Sequence, residues 1–595
     1  MKRLVGTALL ISLAACGGGA GGGIPSAAGG AAMMQSGSGT GIADKASVRS
    51  TRARIAAALA RTGTGNKHAL AESASPSNVT TADPPVPRPQ EAPCTVQLFT
   101  NFQFTSFTYP TFQYTPPANC PGPWAKVVLD ANFAVTAGVQ FDRTGSIWVA
   151  GTNIYFGTTA EPGSTYSPSW HVQRDVTDLT PIFETPSTGE VVLGNIVNST
   201  YTGVISASAT LDFYPASDRY RVADAPDAVY PLSGGPLGDN QYITTPSQPL
   251  TATYTLPTNV RAAYLDVYLQ SQIDDEFWYT CFPNDLASEI PNCANTAFRE
   301  GDVAIDGQAA GVVPVYPWIF TGGIDPYLWL PIPGVETLNF SPYRVDLTPF
   351  AALLSNGQPH TINVTVYNNG NYFAANAALL VYLDHGSSQV TGGIIENATQ
   401  LEPVPSVAEN VKVNAGVGTG TISVRSTHMV DIDGYVNTSR GRVETHVRQQ
   451  ISFSNAQQIY ANTAGTLFDQ NIKQDTNVLS ETTTISHDGY IVASEQRDWP
   501  LLLVYDFMVN SDGSATQVAS VSQGKNEQSK GLFGESFLSN NVQASDTLQF
   551  PATGGFTPTN PQTTQTYVAN SRDFCWNKTV SAKNGLVRQQ MGGPC

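Results

Sequence analysis

A succession of strand-like runs, each about ten residues long and bounded by Gly, Pro or Asn, dominates this sequence of 595 residues. Examples are KVVLDANFAV, SIWVAGTNIYFG, VISASATLDFY and HTINVTVYN. β-branched and aromatic residues favour strands, whereas Gly and Pro interrupt them, so such runs indicate sandwiches or barrels. The 53 Gly and 40 Pro residues, with only 13% charged residues, favour turns over helices. The sequence therefore predicts an all-β protein.

An internal repeat sharpens this prediction. An R-x-G-x-apolar-x-apolar-x-G frame begins at Arg143 and recurs at Arg299. Asp-Leu-Thr-Pro follows the first frame at residues 178–181 and the second frame at residues 346–349. Two matches in the same order predict tandem copies of one jelly-roll-like antiparallel β-sandwich.

Composition divides the rest of the chain. Residues 17–43 are rich in Gly and Ala and cannot bury enough apolar surface to offset the entropy of ordering, and a Pro-rich stretch extends this character to residue 92. Beyond residue 400, polar alternating strands predict a third β domain with one solvated face and no chemistry. The predicted segments are a signal peptide (1–15), a flexible linker (16–92), two β-sandwiches (93–245 and 246–392) and a C-terminal antiparallel β domain (393–595).

The first residues indicate export. MKRLVGTALLISLAAC has a cationic start, an apolar run too short to span a bilayer, and small residues before Cys16. This pattern resembles a bacterial lipoprotein signal, in which a lipid on Cys16 is the only contact with the membrane. An ordinary secretory signal is the alternative. We expect a position in the outer membrane or at the cell surface, with the periplasm or the medium as alternatives.

Export also predicts oxidised cysteines. The six cysteines that remain after Cys16 lie in three close groups along the sequence, which favours local bridges. The expected pairs are Cys94 with Cys120, Cys281 with Cys293, and Cys575 with Cys595.

Charge and missing motifs exclude several functions. A net charge of −17 supplies no cationic surface for phosphates, so we expect a monomer with no nucleic-acid partner. The sequence has no G-x-S-x-G elbow, P-loop or H-E-x-x-H motif, and its histidines are scattered, which predicts neither metal nor cofactor. His428 and His446 lie in polar strands and are predicted to be solvated. Carboxylates beside aromatic residues remain, and such acids hydrolyse sugar linkages or amides.

Two groups of acids are candidates for that chemistry. Asp142 and Arg143 are adjacent at the start of a strand, so they point to opposite faces, and one of them must face inward or toward a cleft. Asp274, Asp275 and Glu276 precede the aromatic residues 277–279, in a loop that the proposed Cys281–Cys293 bridge clamps. Asp142 as a turn acid and the triplet as a solvated hairpin end are the structural alternatives. Because both groups precede equivalent strands of the repeat, we expect them to meet in a cleft between the sandwiches.

Several ordered motifs resemble the acidic peptide:N-glycosidases of the A type, also called glycoamidases. Between residues 93 and 392 these motifs are AKVVLD, Q-F-D-R at 140–143, TTAEP at 158–162, W-H-V-Q-R-D-V-T-D at 170–178, EFWY at 276–279, AFRE at 297–300 and TGGIDPYLW at 321–329. A more distant relative, the F-type enzyme, has two packed jelly rolls with its site between them, which agrees with the repeat.

The resemblance implies roles for individual residues. The F-type enzyme carries its principal catalytic Asp in a W-D-R triplet, which Asp142 matches. Its second acid lies beside a small disulfide loop, which implies Glu276, although the longer loop of this chain leaves Asp275 and Glu300 as rivals. Asn195 stands where the F-type enzyme has a third acid, a Glu.

The implied reaction is hydrolysis of the amide that joins an Asn side chain to the first N-acetylglucosamine of an N-glycan, which converts Asn to Asp. Asp142 is expected to activate water, and Glu276 to hold the acetamido sugar or act as an acid. The residues assigned to substrate binding are Arg143, Asn195, Trp278 and Trp329, with the tryptophans stacking on sugar faces. A carbohydrate-binding surface module and an endo-β-N-acetylglucosaminidase are the alternatives.

Overall fold

The computed structural model describes residues 76–245, 247–532 and 534–595. The predicted signal peptide, Cys16 with its lipid and most of the predicted linker lie outside these residues. Strand pairing is antiparallel in all five sheets of the described chain, which confirms the predicted all-β class. Within the same residues, no helix is both long enough and apolar enough to cross a membrane.

The first β-sandwich consists of two four-stranded sheets. Its strands are β1 (Cys94–Phe104), β2 (Thr111–Tyr114), β3 (Trp124–Val135), β4 (Thr144–Val149), β5 (Thr152–Thr158), β6 (Ser169–Asp175), β7 (Ser187–Leu193) and β8 (Ile205–Pro215), with a 3-10 helix at Thr177–Phe183. The sheet orders are β1-β8-β3-β6 and β2-β7-β4-β5. Alternate residues of both sheets, such as Leu129, Ile147 and Phe213, form the core between them.

The second β-sandwich consists of a five-stranded and a four-stranded sheet. Its strands are β9 (Ala228–Leu232), β10 (Gln241–Ile243), β11 (Leu250–Tyr254), β12 (Val260–Gln272), β13 (Glu300–Ile305), β14 (Gln308–Pro314), β15 (Tyr343–Asp346), β16 (His360–Tyr367) and β17 (Tyr372–Leu383). Its helices are α1 (Asn284–Glu289), α2 (Ala351–Leu354) and 3-10 segments at Ile273–Asp275, Trp278–Thr280, Pro326–Trp329 and Thr348–Phe350. The sheet orders are β10-β17-β12-β15, with β9 beside β17, and β11-β16-β13-β14.

These sheet orders confirm the internal repeat. Strands β2, β7, β4 and β5 correspond in order to β11, β16, β13 and β14, and β8, β3 and β6 correspond to β17, β12 and β15. Asp142 therefore lies in the connection from β3 to β4, and residues 274–276 lie in the corresponding connection from β12 to β13.

The predicted equivalence of the two Asp-Leu-Thr-Pro segments is wrong by three residues. Asp346 ends β15, and its Oδ1 accepts a hydrogen bond from the amide of Thr348. The equivalent turn of the first sandwich is formed by Asp175 at the end of β6, whose Oδ1 accepts from the amide of Thr177. Asp178 lies beyond this turn. The turn chemistry defines the equivalence, because an Asp side chain caps the amide two residues on wherever the strand ends.

Two predicted boundaries differ from the structure. Strands β9 and β10 were assigned to the first sandwich but pair with β17 of the second. Residues 76–92 were assigned to the flexible linker but run extended across the molecule. The amide of Ala82 donates to Gln565, and Arg88 forms an ion pair with Asp212. A Pro-rich composition predicts the extended backbone but not these long-range contacts.

The C-terminal unit is a thirteen-stranded antiparallel sheet. Its strands are β18 (Thr391–Asn397), β19 (Ser406–Asn414), β20 (Val417–Thr438), β21 (Gly441–Asn462), β22 (Leu467–Ser486), β23 (Gly489–Asp498), β24 (Leu501–Val509), β25 (Ala515–Gly531), β26 (Gly534–Phe550), β27 (Thr557–Pro558), β28 (Gln562–Ser571), β29 (Phe574–Lys583) and β30 (Leu586–Pro594). The long strands alternate buried and exposed residues, so one face is covered and the other solvated.

The three β units contact one another in sequence order. β4 and β5 are buried along their whole length, since one face lies in the first core and the other contacts the second sandwich, where Phe156 packs against Tyr268 and Phe340. β13 is also buried throughout. On its outer side, one hydrophobic core continues from the second sandwich into the C-terminal sheet.

All three predicted disulfide pairs are confirmed. Cys94 bonds to Cys120, Cys281 to Cys293 and Cys575 to Cys595, with Cα–Cα distances of 6.1, 4.6 and 5.2 Å. Each bridge closes a short local segment, so each restricts the unfolded chain near one loop.

The contact between the second sandwich and the C-terminal sheet predicts a glycine-specific effect. A Cβ on Gly434 of β20 would lie 2.1 Å from the carbonyl oxygen and 2.6 Å from the Cα of Pro349. We therefore expect Gly434→Ala to lower the free energy of unfolding by about 1–3 kcal/mol through overpacking. The control is Gly393→Ala on neighbouring β18, where a Cβ meets no atom within 4 Å. Equal denaturation midpoints for the two variants would contradict this packing.

Candidate functional site

The candidate site lies where the first sandwich faces the second. Gln270 of β12 donates from Nε2 to Thr144 Oγ1 at the start of β4, over 3.0 Å. Asp142 lies just before Thr144 in the chain, and Glu276 follows the end of β12. This contact joins the strand that leads to Glu276 to the strand that follows Asp142.

Asp142 and Arg143 are both buried in the segment that precedes β4, with exposed fractions of 0% and 3%. The amide of Asp142 donates to Glu161 Oε1 over 3.3 Å, and Arg143 Nη2 donates to Gln140 Oε1 over 2.9 Å. Burial lowers the pKa of Arg143, and the negative charge of Asp142 is the first of the effects that oppose this shift. A guanidinium in such a desolvated place acts strongly on any negative charge beside it.

Glu161 is a buried acid that sequence reasoning missed. It lies after β5 in the TTAEP segment, beside the amide of Asp142. Thr159 fixes this segment, since its Oγ1 accepts from the Arg143 amide over 2.8 Å and its carbonyl accepts from Thr321 over 2.7 Å. TTAEP was recognised as a motif, but no residue nearby in sequence indicated what Glu161 would face.

Asp275 has a structural role. Its carboxylate accepts from Arg299 Nε over 2.7 Å and from the amides of Gly370 and Asn371 over 2.9 and 2.7 Å. Arg299 Nη1 in turn donates to three carbonyls within residues 295–298. This network fixes the disulfide loop to the turn between β16 and β17. Because both carboxylate oxygens are bonded within the protein, Asp275 does not compete with Glu276 for substrate.

Glu276 is buried at the end of β12, next to several polar groups. Gln270 and Gln272 lie two apart on this strand and therefore point to the same side, toward the first sandwich. Gln272 pairs with Tyr372 of β17. Burial, and after it the negative charge of Glu276, raises the pKa of Tyr372 to about 12. The buried Gln272 amide has no hydrogen-bond partner within the described chain. Desolvation also raises the pKa of neighbouring Asp274.

Glu300 lies at a different interface. It begins β13, and its Oε1 is 2.7 Å from Nδ1 of His428 on β20 of the C-terminal sheet. The prediction that His428 is solvated is wrong, because the second sandwich covers its face of the strand, and only 3% of it is exposed; the side chain of His446 is 25% exposed. Desolvation and then the charge of Glu300 raise the pKa of nearby Asp302 to about 9. Glu300 is thus no longer a candidate for the second acid of the site that contains Asp142.

The two predicted sugar-stacking tryptophans are buried. Trp278, 1% exposed, packs against Phe453 of the C-terminal sheet, with ring centroids 6.0 Å apart. Trp329, 3% exposed, donates from Nε1 to the carbonyl of Gly323 over 2.9 Å. It lines a small cavity together with Glu161. Both rings are buried, so this geometry gives no support to the predicted stacking on sugars.

Asn195 is also committed to the fold. Its Nδ2 donates to the carbonyl of Phe104 over 2.9 Å, and its Oδ1 accepts from the amide of Ile196 over 2.9 Å. Both ends of the buried side-chain amide are therefore used within the first sandwich, and the predicted contact with substrate has no support in this geometry.

Two other aromatic pairs lie beside the acids. Phe141, adjacent to Asp142, contacts Tyr201 with ring centroids 5.6 Å apart. Tyr242 contacts Tyr372 at 5.2 Å, edge to face. Phe141, Tyr242 and Tyr372 are partly exposed, so these rings, and not the tryptophans, are the aromatic surface next to the candidate site.

The C-terminal sheet holds the backbone that follows Glu276. Three side-chain amides of this sheet donate hydrogen bonds to backbone carbonyls of the loop. Asn455 Nδ2 donates to the carbonyl of Tyr279 over 3.0 Å, Gln470 Nε2 to that of Thr280 over 2.8 Å, and Gln457 Nε2 to that of Cys281 over 3.2 Å. These three amides are buried, so they are not on the solvated face that the polar sequence of their strands predicted. Buried carbonyls are costly without donors, which accounts for amide side chains in this core.

Comparison with known proteins identifies the family. Residues 83–400, more than half of the chain, match the family of peptide N-acetyl-beta-D-glucosaminyl asparaginase amidase A. The chain belongs to this family. Among curated proteins, peptide-N4-(N-acetyl-beta-glucosaminyl)asparagine amidase A of Prunus dulcis is 28% identical over 537 residues, which cover 86% of this chain and 92% of that protein.

Two solved structures are more distant. PNGF-II is 13% identical with a TM-score of 0.35, over 49% of this chain and 66% of its own. PNGase F, a glycosylasparaginase from Flavobacterium meningosepticum, is 14% identical with a TM-score of 0.33, over 49% of this chain and 96% of its own. At these TM-scores the similarity supports no conclusion about site or fold.

The different surroundings of Asp275 and Glu276 predict different effects on stability. Asp275→Ala leaves Arg299 buried without its ion-pair partner, so we expect the free energy of unfolding to fall by about 3–5 kcal/mol. The isosteric Glu276→Gln variant keeps the size of the side chain and one acceptor oxygen, so it should lower this free energy less than Asp275→Ala. Thermal unfolding of both variants tests this contrast, and a stable Asp275→Ala protein would refute the structural role.

Proposed function

We propose that the protein hydrolyses the amide between an Asn side chain and the first N-acetylglucosamine of N-glycans on peptides and proteins. Membership of the amidase A family supports this activity. The observation that supports this placement of the site is the hydrogen bond between Gln270 and Thr144, because it joins β12, which leads to Glu276, to β4, which follows Asp142.

The chemistry requires water to attack the amide carbonyl and the nitrogen to leave on the sugar. In our proposal Asp142 accepts a proton from the attacking water as general base. The guanidinium of Arg143 stabilises the negative charge that develops on the carbonyl oxygen. Glu276 donates a proton to the departing nitrogen or holds the acetamido group. The products are a peptide with Asp in place of Asn and a glycosylamine, which loses ammonia to water.

Recognition of the first sugar is assigned to groups at the same interface. The Gln272 amide offers one donor face and one acceptor, the complement of the N–H and carbonyl of an acetamido group. The partly exposed rings of Tyr372 and Phe141 cover apolar sugar faces, in place of Trp278 and Trp329. A sugar without the acetamido group would leave the buried Gln272 amide unpaired. Binding of such a sugar is disfavoured, because the desolvation of the amide is then uncompensated.

One incubation separates this function from its alternatives. A glycopeptide with a single N-glycan is treated with the protein, and the peptide products are weighed by mass spectrometry. An amidase releases a peptide with Asp at the former glycosylation site. An endo-β-N-acetylglucosaminidase leaves one sugar on Asn, and a binding module leaves the glycopeptide intact, so either of these results would refute the proposal.

The role of Asp142 predicts a loss of turnover without a loss of fold. Asp142→Asn removes the proposed base but keeps the size of the side chain, so we expect kcat to fall about 10²- to 10⁴-fold. The matched control is Asp488→Asn, whose side chain is 80% exposed in a turn of the C-terminal sheet. Parental turnover by the Asp142→Asn protein, with both variants folded, would exclude proton transfer by this residue.

The cellular location and the partners of the protein are part of the same proposal. We infer that it is exported as a lipid-anchored monomer whose partners are N-glycosylated peptides and proteins. The signal-like residues 1–15 and the cysteine that follows support the export. The mass of the mature N-terminal peptide tests this, because a lipid on Cys16 adds a diacylglycerol that a secreted form lacks.

A further inference from the structure

Three buried metal-binding side chains meet between the second sandwich and the C-terminal sheet. Glu300 and Asp302 lie two apart on β13 and so share one face of that strand. His428 faces them from β20. Their exposed fractions are 1%, 5% and 3%. One ligand atom from each lies within 4.8 Å of the other two.

One ring nitrogen of His428 is bonded to the backbone. Its Nε2 lies 3.0 Å from the carbonyl oxygen of Gln400. A carbonyl only accepts hydrogen bonds, so Nε2 carries a proton and donates it. A histidine held in this way by a backbone carbonyl directs the lone pair of its other nitrogen at a metal in many metalloproteins. Here Nδ1 points at the two carboxylates.

The distances fit one small cation. His428 Nδ1 is 2.7 Å from Glu300 Oε1 and 4.0 Å from Asp302 Oδ1. Ligands at about 2.0 Å from a tetrahedral ion lie about 3.3 Å from each other, and the two observed separations lie on either side of that value. Small rotations of the side chains would bring all three atoms to ligand distance.

The cluster also lacks other compensation. Asp302 Oδ1 is buried and accepts no hydrogen bond from any described residue. No Lys or Arg in the described chain forms an ion pair with Glu300 or Asp302. The hydroxyl of Ser426, on the same face of β20 as His428, is likewise buried without a partner within the described residues, which makes it a candidate for a fourth ligand. Two buried carboxylates and an oriented imidazole thus converge on one point, with no Lys or Arg of the described residues paired to them.

We propose that Glu300, Asp302 and His428 bind one divalent transition-metal ion, with Zn²⁺ the best match to one nitrogen and two carboxylate ligands. The ion joins β13 to β20 and so fastens the second sandwich to the C-terminal sheet. It has no role in the amidase step, because β13 belongs to the sheet that faces the C-terminal unit, whereas β12 with Glu276 faces the first sandwich. The scattered histidines gave no such signal, since β13 and β20 are far apart in sequence.

Zinc content and zinc-dependent stability test this proposal. The full chain is stripped with a chelator, dialysed against Zn²⁺, and analysed for bound metal by mass spectrometry. We expect about one zinc per chain and a thermal midpoint that rises with Zn²⁺. Asp302→Asn keeps the shape of the side chain and should lower zinc affinity more than about 100-fold, which exceeds the roughly 10- to 100-fold loss expected for an outer-shell change.

The matched control is His446→Ala. His446 lies on neighbouring β21 beside Asp433 and Glu444, but it is partly exposed, and its loss should leave zinc content unchanged. His428→Ala should also lose zinc, and if this variant fails to fold, Asp302→Asn still decides the question. A parental protein that binds no zinc, or an Asp302→Asn protein that binds it as tightly as the parent, would overturn the site in favour of a metal-free His428–Glu300 pair beside a protonated Asp302.

Discussion

The face-to-face packing of two copies of one sandwich is the constraint on which the candidate site depends. A strand with one face in its own core and the other against a second domain must be apolar on both sides, and β4 and β5 are buried throughout for that reason. Where the strands end, buried polar groups replace apolar ones. The hydrogen bond from Gln270 to Thr144 marks this change. Because the copies share one connectivity, the acid of each lies in the same connection, Asp142 before β4 and Glu276 before β13, although the two are far apart in sequence.

The C-terminal sheet gives this arrangement its rigidity. The loop that carries Glu276 has carbonyls buried against the sheet, and buried carbonyls require donors. Asn455, Gln457 and Gln470 supply them, while Asp275 and Arg299 fix the other side of the loop. Positioning of an acid within a fraction of an ångström is what proton transfer to a leaving group demands. A third unit with no chemistry of its own thereby supports the chemistry of the first two.

Local sequence patterns predicted much of this fold. Alternation identified the strands, the frame at Arg143 and Arg299 identified the repeat, and close cysteines identified the three bridges. The failures came where a residue's partner lies far away in sequence. Polar strands appeared solvated although Gln470 serves a distant carbonyl, and Trp278 appeared to be a ligand-binding ring although Phe453 covers it. His428 appeared isolated for the same reason. Residue type and spacing describe what a side chain can do, but only the packing of sheets decides what it faces.

The convergence of the two acids is tested most directly by a crystal structure of the Asp142→Asn protein with a bound glycopeptide or its N-acetylglucosaminyl-asparagine core. The packing described above predicts that the first sugar lies between residue 142 and Glu276, with its acetamido group at Gln272 and the linkage beside Arg143. A sugar bound instead to the exposed face of the C-terminal sheet, with the interface between the sandwiches closed and unchanged, would contradict it.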